Sequence, residues 1–160
     1  MKFQVIQTKK ELDATPNVVS GKTIEMVRMH VIRAYLNACG YNTFVPDIDS
    51  NSFDFGFIMN GHTYRVQLKA RMTVDEKYLH KNLYMMFPLK ARKGMLKHNY
   101  VIVPHDDLYS LVFGKWNLHN KKHNGYSKAS LTDDQIEDVL PISVCDPMAP
   151  LAELEDLNYI

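Results

Sequence analysis

Four polar side chains carry the chemistry this sequence can do. Asp54, Gln67 and Lys69 fall on two apolar-patterned runs that flank Asn60-Gly61, and Glu25 lies on an amphipathic stretch ahead of them. Carboxylate and amide oxygens are the donors that hard divalent cations take. An ammonium group beside them can stabilise negative charge that develops in a reaction. Whether these groups meet depends on the elements that carry them.

The runs are Phe53-Asp54-Phe55-Gly56-Phe57-Ile58-Met59 and His62-Thr63-Tyr64-Arg65-Val66-Gln67-Leu68-Lys69-Ala70. Asn-Gly between such runs predicts a hairpin with a two-residue type I′ turn, because both turn residues take positive φ. The register follows: Met59 faces His62, Phe57 faces Tyr64, Phe55 faces Val66 and Asp54 faces Gln67. Alternation then puts Asp54, Arg65, Gln67 and Lys69 on one face and Phe53, Phe55, Phe57, Tyr64, Val66, Leu68 and Ala70 on the other. One face is core; the other gathers an acid, an amide and cations.

Ahead of the hairpin, Ser20 and Gly21 open a helix that runs to Cys39, where Gly40 supplies a left-handed stop. Its apolar stripe is Ile24, Val27, Val31, Ala34 and Ala38, and a second row, Met29, Ile32 and Leu36, continues from Glu25. Lys22, Met26, His30, Arg33 and Asn37 form the wet side. Glu25 is thus expected on the inward half of the helix, where a lone carboxylate needs a partner.

The remaining expectations are coarser. The first nineteen residues read as a short strand or arm and a loop, and residues 41–52 as a link. Thr73 to Phe87 suggests a helix ended by Pro88, Asn99 to Val103 a buried strand, and Leu108 to Phe113 a fourth strand. Trp116 to Lys128 reads as a polar loop, in which His119 and His123 are better explained as solvated than as metal ligands. Thr132 or Ser130 can cap a short helix through Val139, and Pro141, Pro147 and Pro150 punctuate an irregular acidic tail. His30 and His62 read as surface residues.

With 160 residues, 46% hydrophobic and 23% charged, the chain suits one globular domain over 1–160, its core at about 20–115 and the tail at about 140–160. Disordered and collagen-like classes are excluded. No apolar run approaches the roughly 20 residues that cross a bilayer, and the N-terminus lacks a signal-peptide core, so a soluble cytoplasmic protein is expected. Cys39 and Cys145, far apart and without CxxC, fit a reducing compartment. The net charge of +1 hides a sharp segregation. From Arg65 to Lys97 nine basic residues face two acids, whereas Ala129 to Ile160 holds eight acids and no Lys or Arg. A basic block carrying Tyr78, Tyr84 and Phe87 suits a phosphate-tracking surface, or else a solvated face balanced by the acidic end.

Asp54 opposite Gln67, Lys69 two residues on, and Glu25 on the preceding helix together resemble the PD-(D/E)XK nuclease superfamily. The triplet reads Gln67-Leu68-Lys69, and Phe53 stands where the family has Pro. The stretch is most similar to the glutamine variant of small intron-homing endonucleases and resolvases, over roughly Gly21 to Val103. The resemblance implies an α/β, restriction-endonuclease-like fold with a mixed central β-sheet flanked by helices. It also implies a metal-dependent endodeoxyribonuclease of homing, restriction or junction-resolving type, acting on duplex or branched DNA. Mg²⁺, which Mn²⁺ can replace, would be held by Asp54, the Gln67 amide oxygen, the Leu68 carbonyl and, through water, Glu25. Lys69 would orient or help activate the attacking water. Arg65, Arg71, Lys77, Lys81, Lys90, Arg92, Lys93 and Lys97 would contact phosphates. Cutting both strands requires a homodimer or larger closed assembly. The alternative is a nucleic-acid-binding module of the same fold with a degenerate site, because Gln67 removes a negative charge.

Overall fold

The computed structural model describes residues 21–46, 53–90, 100–118 and 124–144. Helix α1 (Gly21–Ala38) ends where expected: Gly40 has φ +88°, the Tyr41 N–H reaches the Leu36 carbonyl at 3.0 Å and the Gly40 N–H reaches Asn37 at 2.9 Å. This pair of bonds satisfies the last carbonyls through a residue without Cβ strain. Three strands follow: β1 (Asn42–Phe44), β2 (Phe55–Met59) and β3 (His62–Leu68). The β2–β3 register is the one expected, Met59 with His62 through Phe55 with Val66, around a turn with Asn60 at φ 51° and Gly61 at φ 78°.

Beyond β3 come β4 (Met72–Asp75), β5 (Tyr84–Pro88) and β6 (Tyr100–Pro104), then α2 (His105–Ser110), β7 (Gly125–Lys128) and α3 (Asp133–Val139). The main sheet has the order β1-β2-β3-β5-β6, with β3–β5 parallel and its other pairs antiparallel; β4 and β7 form a separate ribbon. This is the expected mixed α/β arrangement, a central sheet flanked by helices. No helix among the described residues is long and apolar enough to cross a membrane.

Both faces of the sheet are buried. On one, Ile32 and Leu36 of α1 pack on Phe55, Phe57, Val66, Leu68, Met86, Tyr100 and Ile102. On the other, Met85, Phe87, Val101 and Val103 pack on Met72 and Val74 of β4, Leu108 of α2, Val112, Leu131 and Val139. Each apolar side chain removed from water contributes about 1.5–3 kcal/mol, so the two layers rather than local propensity hold the strands in place. One backbone group on each outer edge strand also finds a partner. The Thr43 N–H of β1 is taken by the Asn37 side chain at 3.1 Å, and the Val144 N–H reaches Ile102 of β6 at 2.9 Å.

Several expectations are corrected. The buried side of α1 is the Ile32 and Leu36 row, while Ala34 and Ala38 of the expected stripe are exposed. The link after Gly40 contains β1. The expected helix over 73–87 is instead β4, a 3-10 turn (Glu76–Tyr78), a bend with positive φ at His80 and Asn82, and β5. Spacing of Tyr78, Leu79, Leu83 and Met86 imitates a helix because a strand buried on both faces is apolar at every position and carries no period of its own. The expected fourth strand over 108–113 is α2 running into a π-helical turn (Leu111–Lys115). The polar loop ends in β7. Thr132 caps α3, with Gln135 completing the reciprocal capping pair.

Gly56 leaves room for a half-buried ring. A Cβ there would overlap the ring of Phe44, its partner across the β1–β2 pair. Gly56→Ala is expected to lower unfolding free energy by about 1–3 kcal/mol in urea titration, as overpacked cores do.

His105 joins α2 to β4. Its Nε2 accepts from the Asp75 N–H at 3.3 Å, so Nδ1 carries the proton and faces Asp106 at 3.4 Å; the rings of Tyr78 and Tyr109 flank it. Asp106 also meets the exposed His80. Burial pushes the imidazole pKa down, outweighing the pull of Asp106 and Asp75 toward the charged form. The folded pKa lies below the unfolded value, so this neutral contact stabilises fully above about pH 6.5 and loses its contribution as pH falls toward the lowered folded value. The urea midpoint should therefore fall over that interval, and His105→Gln, which does not titrate, should flatten the fall.

Candidate active site

Asp54 sits one residue ahead of β2, where the ladder has ended, and its N–H donates at 2.8 Å to the carbonyl of Val66, the residue already paired with Phe55. The carboxylate is fixed from β3: Oδ2 accepts from the Leu68 N–H at 2.7 Å and from Gln67 Nε2 at 2.8 Å. Oδ1 makes no hydrogen bond among the described residues. In an extended strand a residue's N–H and C=O point to the same side, so the Leu68 carbonyl is aimed at the Asp54 edge as well. Gln67 is buried, and only its NH₂ can donate to a carboxylate, so its amide oxygen is turned away from Oδ2. Presenting that oxygen to a cation beside Asp54 requires turning the amide over and giving up the 2.8 Å bond.

A cleft of about 360 Å³ opens beside Asp54, lined also by Glu25 of α1 and by Leu68. Glu25 is exposed. The inward placement expected for it is corrected: α1 packs on the sheet through Ile32 and Leu36, two and three turns later, while Glu25, Met26 and Met29 line the cleft. Burial raises the Asp54 pKa above its ordinary 3.8, and the charge of Glu25 adds to that; the Leu68 N–H, the Lys69 charge and Gln67 oppose it. Lys69 is half-buried, its Nζ 5.7 Å from the Tyr78 ring, which Lys77 approaches to 4.9 Å. Neither Gln67 nor Lys69 lines the cleft. Tyr78 is the neighbour that sequence spacing could not supply, since eight residues, β4 among them, separate it from Lys69.

The structure thus brings Asp54, Gln67 and Leu68 into direct contact, sets Glu25 across the cleft, and keeps Lys69 alongside. No group of three or more His, Cys, Asp or Glu with metal-holding geometry occurs among the described residues. Asp54 and Glu25, which line the cleft together with Leu68, carry hard oxygen donors of the kind that could hold Mg²⁺ while it keeps water. Of the expected phosphate contacts, Arg65, Arg71 and Lys81 are exposed and form no ion pair among the described residues, whereas Lys77 pairs with Asp75 and Lys90 with Asp133. Arg92, Lys93, Lys97, His119 and His123 lie outside the described residues, as does the tail beyond Val144.

No family model matches the chain, and no curated protein matches it. Among solved structures, a bacterial homing endonuclease, I-Ssp6803I, is similar at 15% identity and TM-score 0.43, over 71% of this chain and 78% of that one. Similarity at that level is too distant to assign an activity.

An ionised Asp54 is held against its own desolvation. Because its folded pKa lies above the unfolded 3.8, the ionised form lowers stability fully above the raised value and not at all below the unfolded one. Asp54→Asn keeps an oxygen for Leu68 and Gln67 and removes the charge. It should melt above the parent at neutral pH, and the gain should vanish as pH is lowered toward 3.8 in paired thermal scans.

Proposed function

We propose that the chain is a metal-dependent endonuclease that hydrolyses DNA phosphodiester bonds. The observation that carries this reading is the Asp54 carboxylate: two donors from β3 hold Oδ2, Oδ1 makes no hydrogen bond among the described residues, and Asp54 lines a cleft together with Glu25. Asp54, the Leu68 carbonyl and Glu25 would hold Mg²⁺, or Mn²⁺ in its place, with the Gln67 amide oxygen joining once turned. Such an ion neutralises phosphoryl oxygens and lowers the pKa of water.

The chain's own groups do the rest. The Leu68 N–H, Lys69 and Gln67 oppose in part the burial that raises the Asp54 pKa, and so favour its charged form. Lys69 supplies positive charge beside it, where charge develops as phosphate is attacked. Arg65, Arg71 and Lys81 are free to contact flanking phosphates, and Lys77 and Lys90 join them by exchanging Asp75 and Asp133 for the DNA backbone. One chain presents one such centre, so cutting both strands needs a homodimer or larger closed assembly.

A second reading has its own support. Gln67 offers Asp54 its NH₂ rather than an acid or an oxygen, which fits a DNA-binding module that no longer cuts. Cleavage of supercoiled plasmid and branched DNA in Mg²⁺ or Mn²⁺ separates the two. Parent activity that falls by about 10²-fold or more in Asp54→Ala and in Lys69→Ala, with binding in Ca²⁺ kept by Lys69→Ala, supports the endonuclease. Binding without cutting in any of these metals supports the module, and cutting that survives both substitutions removes this site from the reaction.

A further inference from the structure

The cleft beside Asp54 is acidic on two residues only. The rest of its lining is Met26, Met29, Val45, Pro46 and Phe53 with Leu68, and no Lys or Arg among the described residues lines it. Met26 is 49% and Val45 43% exposed, two of the few large apolar side chains so open to water. Phe53 is steadied by Phe44, whose ring meets it nearly edge-on at 6.2 Å.

The apolar part of this wall, away from Asp54 and Glu25, offers a phosphodiester backbone nothing: its side chains are uncharged, and Lys69, whose charge reaches Asp54, does not line the cleft. The apolar face of a nucleic acid is the base. Bases gain by stacking on flat or adaptable apolar surfaces whatever their identity, and a thioether beside a ring is such a surface. A space of about 360 Å³ is of ligand-pocket size, and it adjoins the carboxylate that the reading above places at the scissile phosphate.

Resting on that endonuclease reading, we propose that the cleft receives an unstacked nucleobase from the nucleotide beside the cut. The substrate class is then DNA with an unpaired nucleotide at that point, a flap, bulge or branch, rather than an unbroken duplex. Drawing a base out of a paired stack is costly and is easiest where the base is already unpaired. The apolar wall thereby selects structure without reading sequence.

The test uses the full chain and oligonucleotides carrying 2-aminopurine, stepped one position at a time through a flap junction, with Ca²⁺ to hold binding without cutting. A rise in fluorescence on binding is expected at one position next to the junction. Met26→Ser and Val45→Ser, both at exposed positions, should each reduce that rise and weaken flap binding about tenfold while leaving duplex binding unchanged. A chain that binds and cuts unbroken duplex as well as flap, with no fluorescence change at any position, overturns this inference and leaves the endonuclease reading standing. A fluorescence rise indifferent to both substitutions also overturns it, since the base then lies elsewhere. Failure to bind either DNA overturns both.

Discussion

Everything at the site depends on the register of one hairpin. Asn60 and Gly61, both with positive φ, close the β2–β3 turn in two residues and pair Phe55 with Val66. Side chains alternate with a period of two, so a slip by one residue would take Val66 and Leu68 off the face packed against α1 and turn Gln67 onto it. The apolar layer under α1 forbids that slip: Phe55, Phe57, Val66 and Leu68 are buried together. The same constraint that fills the core brings Asp54 to Gln67 and Leu68. Core and site are specified by one set of contacts, and the site inherits the rigidity of the sheet.

The site lies where regular pairing stops. Beyond Phe55 strand β2 gives way to Asp54, whose side chain takes over the Leu68 N–H that a continuing strand would have taken. On the other side of β3 the parallel ladder to β5 ends near Pro88, which has no N–H to give. An oxygen-rich, open edge therefore forms beside a fully buried sheet. The arrangement costs stability, because a half-buried carboxylate faces Glu25 across the cleft and both prefer water.

How much of this the sequence discloses follows from the range of each interaction. The hairpin, its register, the Gly40 stop and the Thr132 cap are set by neighbours within a few residues, and each is found where local chemistry places it. Asp54, Gln67 and Leu68 come together for the same reason. Glu25 was legible as a partner of the hairpin but not in its exposure, since which row of α1 is buried is decided by where the sheet grips it. Strand β5 escaped because Met85, Met86 and Phe87 are buried on both sides and lack alternation. Helix α2 escaped because Leu108 and Val112, both at 0% exposure, fill a layer that only the fold creates. Tyr78 under Lys69 and Phe44 over Gly56 are tertiary contacts with no spacing rule behind them.

The glutamine in the triplet has a physical sense of its own. A carboxylate at position 67 would lie within hydrogen-bond distance of Asp54 with Glu25 across the cleft, and two such acids sharing buried space cannot both remain ionised. One would hold a proton until a cation arrived, so cation binding would release it and depend steeply on pH. The amide removes that competition. It donates to Asp54, lowers the cost of its charge and stays neutral itself. What is lost is one unit of attraction for a cation, and the remaining attraction rests on Asp54 and Glu25, which stand on different elements. Were a cation held as proposed, its affinity would depend on how closely α1 approaches the hairpin, and so on the packing of Ile32 and Leu36 against β2 and β3.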